Sequence, residues 1–338
     1  MFKLPMLSSL ILFVLTTQTM AQKTVIAHRG ASAYLPEHTL EAKAMAHAMG
    51  ADYIEQDVVM TADDHLIVLH DITLDRTTNV AVVFPDRSRE DGRYYAIDFT
   101  LAEIRQLTAT EGFRVMENGG KQQYYPERFP LDSSRFSVPT LSEEIELIQG
   151  LNHSTGKNVG IYPEIKQPAF HRNEGKDIST AVVRLLKHYG YRTLEDNVFL
   201  QTFDFAELRI LHDEIFPAEG VEFRLVQLLR NHDDYPWIFE RDGLLNLAAI
   251  AYGIGPDHTL VIDPASTQSN IIVTDLVRNA HAAELKVHPY TYRSDPGQVP
   301  NYARSFENLL ELHLFSADAD GLFTDFPDQV VMFLNSRQ

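Results

Sequence analysis

The side chains in this sequence that could do chemistry stand where apolar, strand-like runs end. His28 and Arg29 follow one such run, and His70 ends another. Glu55 and Asp57 are two residues apart within a third run, and alternate residues of a strand point to the same face of a sheet. These residue types and positions predict acid–base chemistry beside a cluster of carboxylates.

Two further side chains repeat this pattern. Glu164 and Lys166 are also two residues apart at the end of an apolar run. Three carboxylates directed at one place repel each other and are costly to bury unless a cation lies between them. Because all the expected ligands are oxygens, the predicted ion is hard, Ca²⁺ or Mg²⁺ rather than Zn²⁺.

Each of these residues also has an ordinary structural explanation. An isolated Glu-x-Asp pair on a strand is usually solvated, and an isolated strand-end histidine is usually a cap or a core residue. Lys166 could form a simple ion pair with Glu164. Their joint occurrence favours an active site, because two histidines of ordinary pKa, about 6.5, can exchange protons near neutral pH beside a metal.

The elements that must position these residues alternate between strand and helix. The expected strands are 24–27, 53–60, 66–69, 159–165, 198–202, 223–229, either 253–254 or 260–262, 286–291 and 321–324. The expected helices are 40–49, 101–107, 141–151, 178–189, 206–215, 244–251, 271–285, 306–314 and 329–334. About eight interior strands, each followed by a helix, predict a parallel sheet that closes as a (β/α)₈ TIM barrel. The alternative, an open doubly wound sheet, lacks the G-x-G-x-x-G fingerprint after its first strand.

Residues 72–139 interrupt this rhythm after the second strand region. They are rich in proline, glycine and mixed charges and contain at most one short helix, 101–107. Such a stretch is too long for a simple loop and predicts an inserted subdomain, here called the insertion. Since it begins directly after His70, it is expected to lie over the end of the barrel that carries active sites. Residues 22–338 are predicted to form one domain with this insertion.

Residues 1–21 are predicted to be a secretory signal peptide. Lys3 supplies a positive region, residues 7–15 are nearly all apolar, and Thr-Met-Ala at 19–21 offers small residues for cleavage after Ala21. The apolar run is shorter than the ~20 residues of a membrane span. The signal predicts a periplasmic protein. That location favours calcium over magnesium, since weak calcium sites can fill outside the cytoplasm.

Composition excludes several other classes of function. The chain has 47 acidic and 29 basic residues and a net charge of -18, which repels nucleic acids. It has no cysteine, so disulfides, thiolate metal sites and cysteine catalysis are excluded. The expected partner is a small-molecule substrate. The oligomeric state stays open, with a homodimer as one option.

The order and spacing of five short motifs resemble the glycerophosphodiester phosphodiesterase family. They are H-R-G at 28–30, P-E-H-T at 36–39, E-Q-D at 55–57, H-D at 70–71 and P-E-I-K at 163–166. The segments H-P-Y-T at 288–291 and G-L-F-T-D-F-P at 321–327 are similar to the periplasmic bacterial branch of that family. The resemblance extends from about residue 24 to the C-terminus and implies a barrel with an inserted cap.

The resemblance also implies an activity and a role for each site residue. The activity is metal-dependent hydrolysis of glycerophosphodiesters, such as glycerophosphocholine and glycerophosphoethanolamine, to sn-glycerol 3-phosphate and an alcohol. The implied roles are His28 and His70 as the acid–base pair, Glu55, Asp57 and Glu164 as metal ligands, Arg29 at the phosphate, and Lys166 beside both. Water and the glycerol 2-hydroxyl both remain as nucleophiles. By analogy with barrel phospholipases that form cyclic phosphates, His28 is assigned as the base and His70 as the acid.

Further residues at expected strand ends are candidates to line the site. They are His288, Gln201 and Asp325, the aromatics Phe203, Tyr290 and Phe326, and His38 as an orienting residue. Two rival functions are a phospholipase or sphingomyelinase-type phosphodiesterase of the same barrel and an exported protein that binds glycerophosphodiesters without turnover. A pure binder has no need of two histidines that move protons.

Overall fold

The computed structural model describes residues 23–240 and 242–337, so the predicted signal peptide lies outside the described residues. The strands are β1 (Thr24–Ala27), β2 (Tyr53–Met60), β3 (Leu66–Val68), β4 (Phe113–Val115), β5 (Lys121–Gln123), β6 (Gly160–Ile165), β7 (Phe199–Thr202), β8 (Arg224–Leu229), β9 (Gly253–Pro256), β10 (Lys286–Val287) and β11 (Gly321–Thr324). Eight of them form one parallel sheet in the order β10-β9-β8-β7-β6-β2-β1-β11.

Backbone hydrogen bonds join the two ends of this sheet. Tyr292 N donates to Phe323 O at 2.9 Å, and Phe323 N donates to Pro289 O at 3.0 Å. The segment after β10 is thereby paired with β11. The eight parallel strands form a nearly closed barrel, which confirms the predicted (β/α)₈ class and excludes the open sheet.

Helices surround the barrel between its strands. They are α1 (Leu40–Met49), α2 (Val80–Val83), α3 (Leu101–Ile104), α4 (Leu141–Thr155), α5 (Pro168–Asn173), α6 (Ile178–His188), α7 (Phe205–Ile210), α8 (Phe216–Glu219), α9 (Gly243–Ala248), α10 (Leu276–Ala282), α11 (Phe306–Glu311) and α12 (Pro327–Asn335). The largest hydrophobic cluster fills the space between the strands and these helices. Among the helices of the described part of the chain, none has both the length and the apolar character needed to cross a membrane.

Local sequence signals account for the helix ends nearest the site. The Thr39 side chain accepts a hydrogen bond from Ala42 N at the start of α1, and Gly50 ends that helix in a left-handed conformation. Thr140 and Glu143 form a reciprocal capping box at the start of α4. Both helices pack on the outer side of β2 and β3 and hold these strands in place.

Strand β3 is a correction to the sequence prediction. The run 66–69 was expected among the interior strands, but β3 pairs antiparallel with the end of β2, with Met60 opposite Leu66 and Val58 opposite Val68. β2 and β3 therefore form a hairpin, and β3 is not one of the eight parallel strands of the barrel. The turn at Thr61–His65 is tight enough for this return, because Thr61 N donates to His65 O at 3.0 Å.

Other differences lie on the second half of the barrel. Of the two alternatives for the sixth barrel strand, the first is correct, since β9 spans Gly253–Pro256 and 258–260 is a 3₁₀ turn. The helix expected at 271–285 begins only at Leu276. Residues before it pair with the preceding loop instead, as in the antiparallel bridge between Ile262 and Val273. The strand expected at 286–291 keeps only two residues, and Pro289, which has no N–H, interrupts its ladder.

The insertion contains α2, α3 and the β4–β5 hairpin, with much irregular chain between them. A separate hydrophobic cluster lies beneath it, formed around Leu74, Phe99 and Ile104 together with Ile67 of β3. The insertion thus packs on the outer end of the β2–β3 hairpin, beside the mouth of the barrel.

Candidate active site

Strand register brings the three carboxylates together at the barrel mouth. Asp57 on β2 is opposite Glu164 on β6, and Glu164 is opposite Gln201 on β7. Glu55 is two residues before Asp57 and points to the same side. One oxygen each of Glu55, Asp57 and Glu164 lies within 4.8 Å of the others, and all three side chains are buried.

The charges of these acids are strongly coupled to their surroundings. Burial, with Asp57 adding to it, raises the pKa of Glu55 well above its ordinary value, and burial raises the pKa of Glu164 to about 7. Burial acts in the same sense on Asp57, but nearby Lys166 and His70 outweigh it and hold the pKa of Asp57 well below normal. Glu55 and Glu164 resist ionisation in this way, so full ionisation of the cluster needs more positive charge nearby.

Lys166 and Arg29 supply part of that positive charge. Lys166 Nζ lies 2.7 Å from Glu164 Oε1 and 3.5 Å from Asp57 Oδ1. Arg29 Nε lies 3.4 Å from Asp57 Oδ2, and its backbone N–H donates to Glu55 Oε2 at 2.9 Å. Arg29 also donates to Glu37 Oε2 at 2.9 Å. Both predicted phosphate-binding residues therefore lie against the carboxylates.

The turn that carries His28 and Arg29 is conformationally special. Arg29 has a φ of 59°, a left-handed conformation that non-glycine residues rarely adopt. Gly30 follows with a φ of 90°, and a Cβ there would lie 2.8 Å from the carbonyl carbon of Ala42 in α1. Only glycine permits so close an approach to the helix. Strained backbone of this kind is common where side chains are held for function.

His28 is fixed in one orientation. Its Nδ1 lies 2.6 Å from Asp325 Oδ1, so Nδ1–H donates to that carboxylate and Nε2 is left facing the carboxylate cluster, 3.8 Å from Glu55 Oε2. Burial, reinforced by Arg29, lowers the pKa of His28 to about 4. A neutral ring with a free Nε2 can accept a proton.

His70 has a similar but more exposed arrangement. Its Nδ1 lies 2.6 Å from Asp71 Oδ1, and Arg76 Nε donates to Asp71 Oδ2 at 2.9 Å. About a third of its side chain, 32%, is exposed. Burial, then Arg29, lowers the pKa of His70 to about 4. His70 reaches the mouth from the antiparallel β3, where Leu69 N donates to Asp57 O at 2.9 Å, rather than from a barrel strand as expected.

Asp325 connects His28 to the insertion. Arg128 Nη2 donates to Asp325 Oδ2 at 2.6 Å, and Arg293 Nε donates to the same oxygen at 2.7 Å. Arg128 also binds Asp295 through two hydrogen bonds of 2.9 and 2.6 Å. These buried bonds join the insertion directly to the residue that orients His28.

A second buried group supports Asp57. His38 Nε2 lies 2.7 Å from Asp57 Oδ2, and Lys43 Nζ lies 3.2 Å from His38 Nδ1. Because the ammonium can only donate, Nδ1 accepts and Nε2–H donates to Asp57. Lys43 also contacts the backbone oxygen of Glu55 and lies 3.1 Å from Glu144 Oε2, with both ionic side chains fully buried.

Two connected cavities open at this site. The inner cavity, about 240 Å³, is bordered by His28, the three carboxylates, Arg29 and Arg293 among others. The outer groove, about 840 Å³, is bordered by Arg230, Asp234 and Tyr235 among others. His70, Glu164, Lys166, Phe203, Asp257 and Tyr290 border both spaces, whereas His28 borders only the inner one.

The structure brings all seven predicted site residues together at this mouth. Of the further candidates, Gln201 donates to Glu55 Oε1 at 3.1 Å, and Phe203 and Tyr290 border both cavities. His288 lies away from the inner cavity, with its Nδ1 3.1 Å from the Tyr162 hydroxyl. Phe326 packs against the ring of Tyr34 at 5.7 Å between centroids.

The sequence prediction missed several supporting residues. They are Lys43, Arg128, Asp295, Arg293, Glu37 and Arg76. Lys43 had a usable signal, since it is a cation on the apolar, alanine-lined side of α1. Arg128 and Asp295 lie in irregular chain, 167 residues apart, and no local pattern indicates that they meet.

The chain is similar in sequence to known phosphodiesterases. The model of the glycerophosphoryl diester phosphodiesterase family matches residues 28–329. A glycerophosphodiester phosphodiesterase of Haemophilus influenzae is 46% identical over 335 residues, covering 94% of this chain and 91% of the relative. One from Treponema pallidum is 38% identical, covering 93% and 92%.

Solved structures have the same fold. A glycerophosphodiester phosphodiesterase from Agrobacterium tumefaciens superposes with a TM-score of 0.58 at 23% identity, covering 93% of this chain and 100% of the other. A phosphodiesterase of Oleispira antarctica in complex with the product sn-glycerol-3-phosphate gives a TM-score of 0.61 at 21% identity, covering 92% and 96%.

Proposed function

The chain belongs to the glycerophosphoryl diester phosphodiesterase family and is a glycerophosphodiester phosphodiesterase. We propose the following substrates, products and residue roles for its active site. The substrates are glycerophosphodiesters, including glycerophosphocholine and glycerophosphoethanolamine, and the products are sn-glycerol 3-phosphate and an alcohol. The observation that carries the proposal is the approach of three buried carboxylate oxygens within 4.8 Å of one another, between two oriented histidines. The Oleispira antarctica phosphodiesterase, whose structure contains the product sn-glycerol-3-phosphate, supports the same chemistry.

Glu55, Asp57 and Glu164 fit a divalent cation. Their donor atoms are all oxygens, and the raised pKa values of Glu55 and Glu164 indicate that ionising the whole cluster needs added positive charge. We assign Ca²⁺, with Mg²⁺ as the alternative. When bound, the ion would act as a Lewis acid that neutralises charge on a phosphate oxygen.

Arg29 and Lys166 bind the phosphate in this proposal. Both lie beside the carboxylates, and Arg29 is held by Glu37 at 2.9 Å so that its guanidinium need not reorganise when substrate arrives. Fixed cations aimed at developing negative charge in a largely buried site lower a barrier by several kcal/mol. Lys166 is 8% exposed, so water screens its charge little.

His28 and His70 move the protons. The nucleophile is water, which gives sn-glycerol 3-phosphate in one displacement, or the glycerol 2-hydroxyl. The 2-hydroxyl forms a cyclic phosphate as the alcohol leaves, and water then breaks the new bond between phosphorus and the 2-oxygen to give sn-glycerol 3-phosphate. As the oxygen of the nucleophile forms a bond to phosphorus, its proton passes to Nε2 of His28. The bond from phosphorus to the alcohol oxygen breaks, and His70 gives that oxygen a proton. Burial and Arg29 lower the pKa of His70 in the protein without substrate. Asp71 opposes this by accepting the Nδ1–H of the protonated ring, and a bound phosphodiester anion also raises the pKa of His70. General acid–base catalysis by such a pair raises the reaction rate on the order of 10²–10⁴-fold.

The test is release of sn-glycerol 3-phosphate from glycerophosphocholine. We expect EDTA to abolish release, calcium to restore it and His28→Ala to lose it. A matched control, His212→Ala, removes an exposed histidine outside the site and should retain full activity. A calcium-loaded, folded protein that binds glycerophosphodiesters without releasing the product would contradict the proposal and favour the binding protein. A preference for lysolipid or sphingomyelin would favour the phospholipase alternative.

We propose in addition that the protein is exported to the periplasm. The support is the pattern of residues 1–21, with its positive start, apolar run and small residues before Ala21. N-terminal sequencing of the mature protein should then begin at Gln22. A mature protein that keeps Met1 and stays in the cytoplasmic fraction would exclude export.

A further inference from the structure

We propose that the outer groove binds the leaving alcohol and selects alcohols that carry a positive charge. This inference rests on the proposed function and adds a specificity site to it. The groove is continuous with the inner cavity, because six residues border both spaces. Its own residues, among them Phe170, Arg230, Asp234 and Tyr235, border only the groove.

The position of the two histidines decides which half of the substrate faces the groove. His28 borders only the inner cavity, whereas His70 borders both spaces. In displacement at phosphorus the entering and leaving oxygens lie roughly in line, on opposite sides. If His28 takes the proton of the entering oxygen, the leaving oxygen lies on the side of His70. The alcohol attached to that oxygen then extends into the outer groove, and the glycerol half stays in the inner cavity.

Aromatic rings make the groove suitable for an alkylammonium group. Phe203 and Tyr290 meet edge to face, with ring centroids 5.9 Å apart, at the boundary of the two spaces. The Phe203 ring already has two cations nearby, Arg230 at 4.9 Å and Lys166 at 5.9 Å from its centroid. Ring faces of this kind attract cations, and quaternary ammonium groups are bound well by them.

Carboxylates outnumber cations among the charged side chains beyond the catalytic residues. Asp204, Asp234 and Asp257 border the groove, against the single guanidinium of Arg230. Asp204 caps α7, and Asp257 Oδ1 accepts hydrogen bonds from Thr259. Asp234 is exposed and is therefore the carboxylate whose charge can be changed with least effect on the fold. An ammonium head group would be attracted here and an anionic one repelled.

The experiment compares two substrates that differ in the charge of the alcohol. The readout is the ratio of kcat/KM for glycerophosphocholine to that for glycerophosphoglycerol, followed as sn-glycerol 3-phosphate release. We expect Asp234→Lys to lower this ratio about three- to tenfold, the size expected for charge reversal at an exposed site. The matched control is Asp233→Lys. It makes the same change in net charge at an exposed neighbour that does not border the groove, and its ratio should equal that of the wild type.

A second variant tests the opposite direction. Arg230→Gln removes the cation beside Phe203 and should raise the ratio about two- to threefold. Unchanged ratios in both variants, with product release intact, would overturn the groove proposal and leave the proposed function standing. Equal effects of Asp234→Lys and Asp233→Lys would also overturn it. Failure of the wild type to release sn-glycerol 3-phosphate from either substrate would overturn both.

Discussion

His28 and His70 are the same residue type in different surroundings, and this difference can be measured at the residue scale. His28 is held by Asp325 in the inner cavity, and His70 is held by Asp71 at the boundary with the outer groove. A general acid matters less when the leaving group is already a weak base. The two roles can therefore be separated by changing the alcohol.

We expect His70→Ala to lose on the order of 10²–10⁴-fold in kcat on glycerophosphocholine, but far less on a p-nitrophenyl diester of glycerol phosphate. His28→Ala should lose activity on both substrates, because the base is needed whatever group leaves. The measurement is kcat on each substrate for the two variants. The reverse pattern would assign the acid to His28.

We predict that a second single residue, Glu111, makes the stability of the protein depend on pH. It is buried in the insertion, and burial, with Glu37 adding, raises its pKa from 4.5 to about 8. Between these pH values the folded protein keeps a proton that the unfolded chain releases. The free energy of unfolding therefore falls as pH rises through this window.

We expect Glu111→Gln to remove this pH-dependent fall in the free energy of unfolding. Between pH 5 and pH 8 the free energy of unfolding of the variant, relative to that of the wild type, should rise by a few kcal/mol, to order of magnitude. Urea unfolding at both pH values measures the difference. Glu117→Gln, at an exposed position of the insertion, is the control and should follow the wild type. Parallel pH profiles for Glu111→Gln and wild type would contradict the assignment.

At the scale of elements, the insertion and the barrel share one buried ionic group. Arg128 from the insertion binds Asp295 and Asp325, and all three side chains are buried. Removing one member of such a group leaves the opposite charge buried without its partner, which costs about 3–5 kcal/mol. Because Asp325 orients His28, the same change affects activity as well as stability.

We therefore expect Arg128→Met to lower the free energy of unfolding by about 3–5 kcal/mol and to lower kcat at temperatures where it remains folded. Arg128→Lys should restore only part of both, since lysine cannot form the two-pronged contact with Asp295. Arg135→Met, exposed in the same insertion, is the control. A wild-type kcat in Arg128→Met would show that the contact between the insertion and Asp325 is not needed to position His28.

The sequence predicted elements better than it predicted how they meet. Periodicity located the strands that carry His28, Glu55, Asp57 and Glu164 because each strand is buried and bounded by polar residues. It could not show that β3 turns back on β2, since an apolar run has the same pattern in either direction. The pairing of Arg128 with Asp295 spans 167 residues of chain, so only the assembled fold reveals it.

For the whole molecule, metal binding and stability are linked. A cation that binds the folded protein and not the unfolded chain stabilises it, by about 2.7 kcal/mol when its free concentration is a hundred times the Kd. We expect calcium to raise the Tm of EDTA-treated protein by several degrees, as followed by differential scanning calorimetry. Asp57→Asn should lose this shift. An equal calcium shift in Asp57→Asn would show that the ion binds elsewhere.

The pairing of the first and last strands has a consequence for when the protein acquires activity. β1 lies beside β11, and the hydrogen bond from His28 to Asp325 joins residues 297 positions apart. A chain that lacks β11 and Asp325 can neither complete the barrel beside β1 nor hold the His28 ring in its orientation. The protein therefore gains activity only when this late strand has folded against the first one, and a product truncated before Asp325 is inactive even if the rest of the barrel forms.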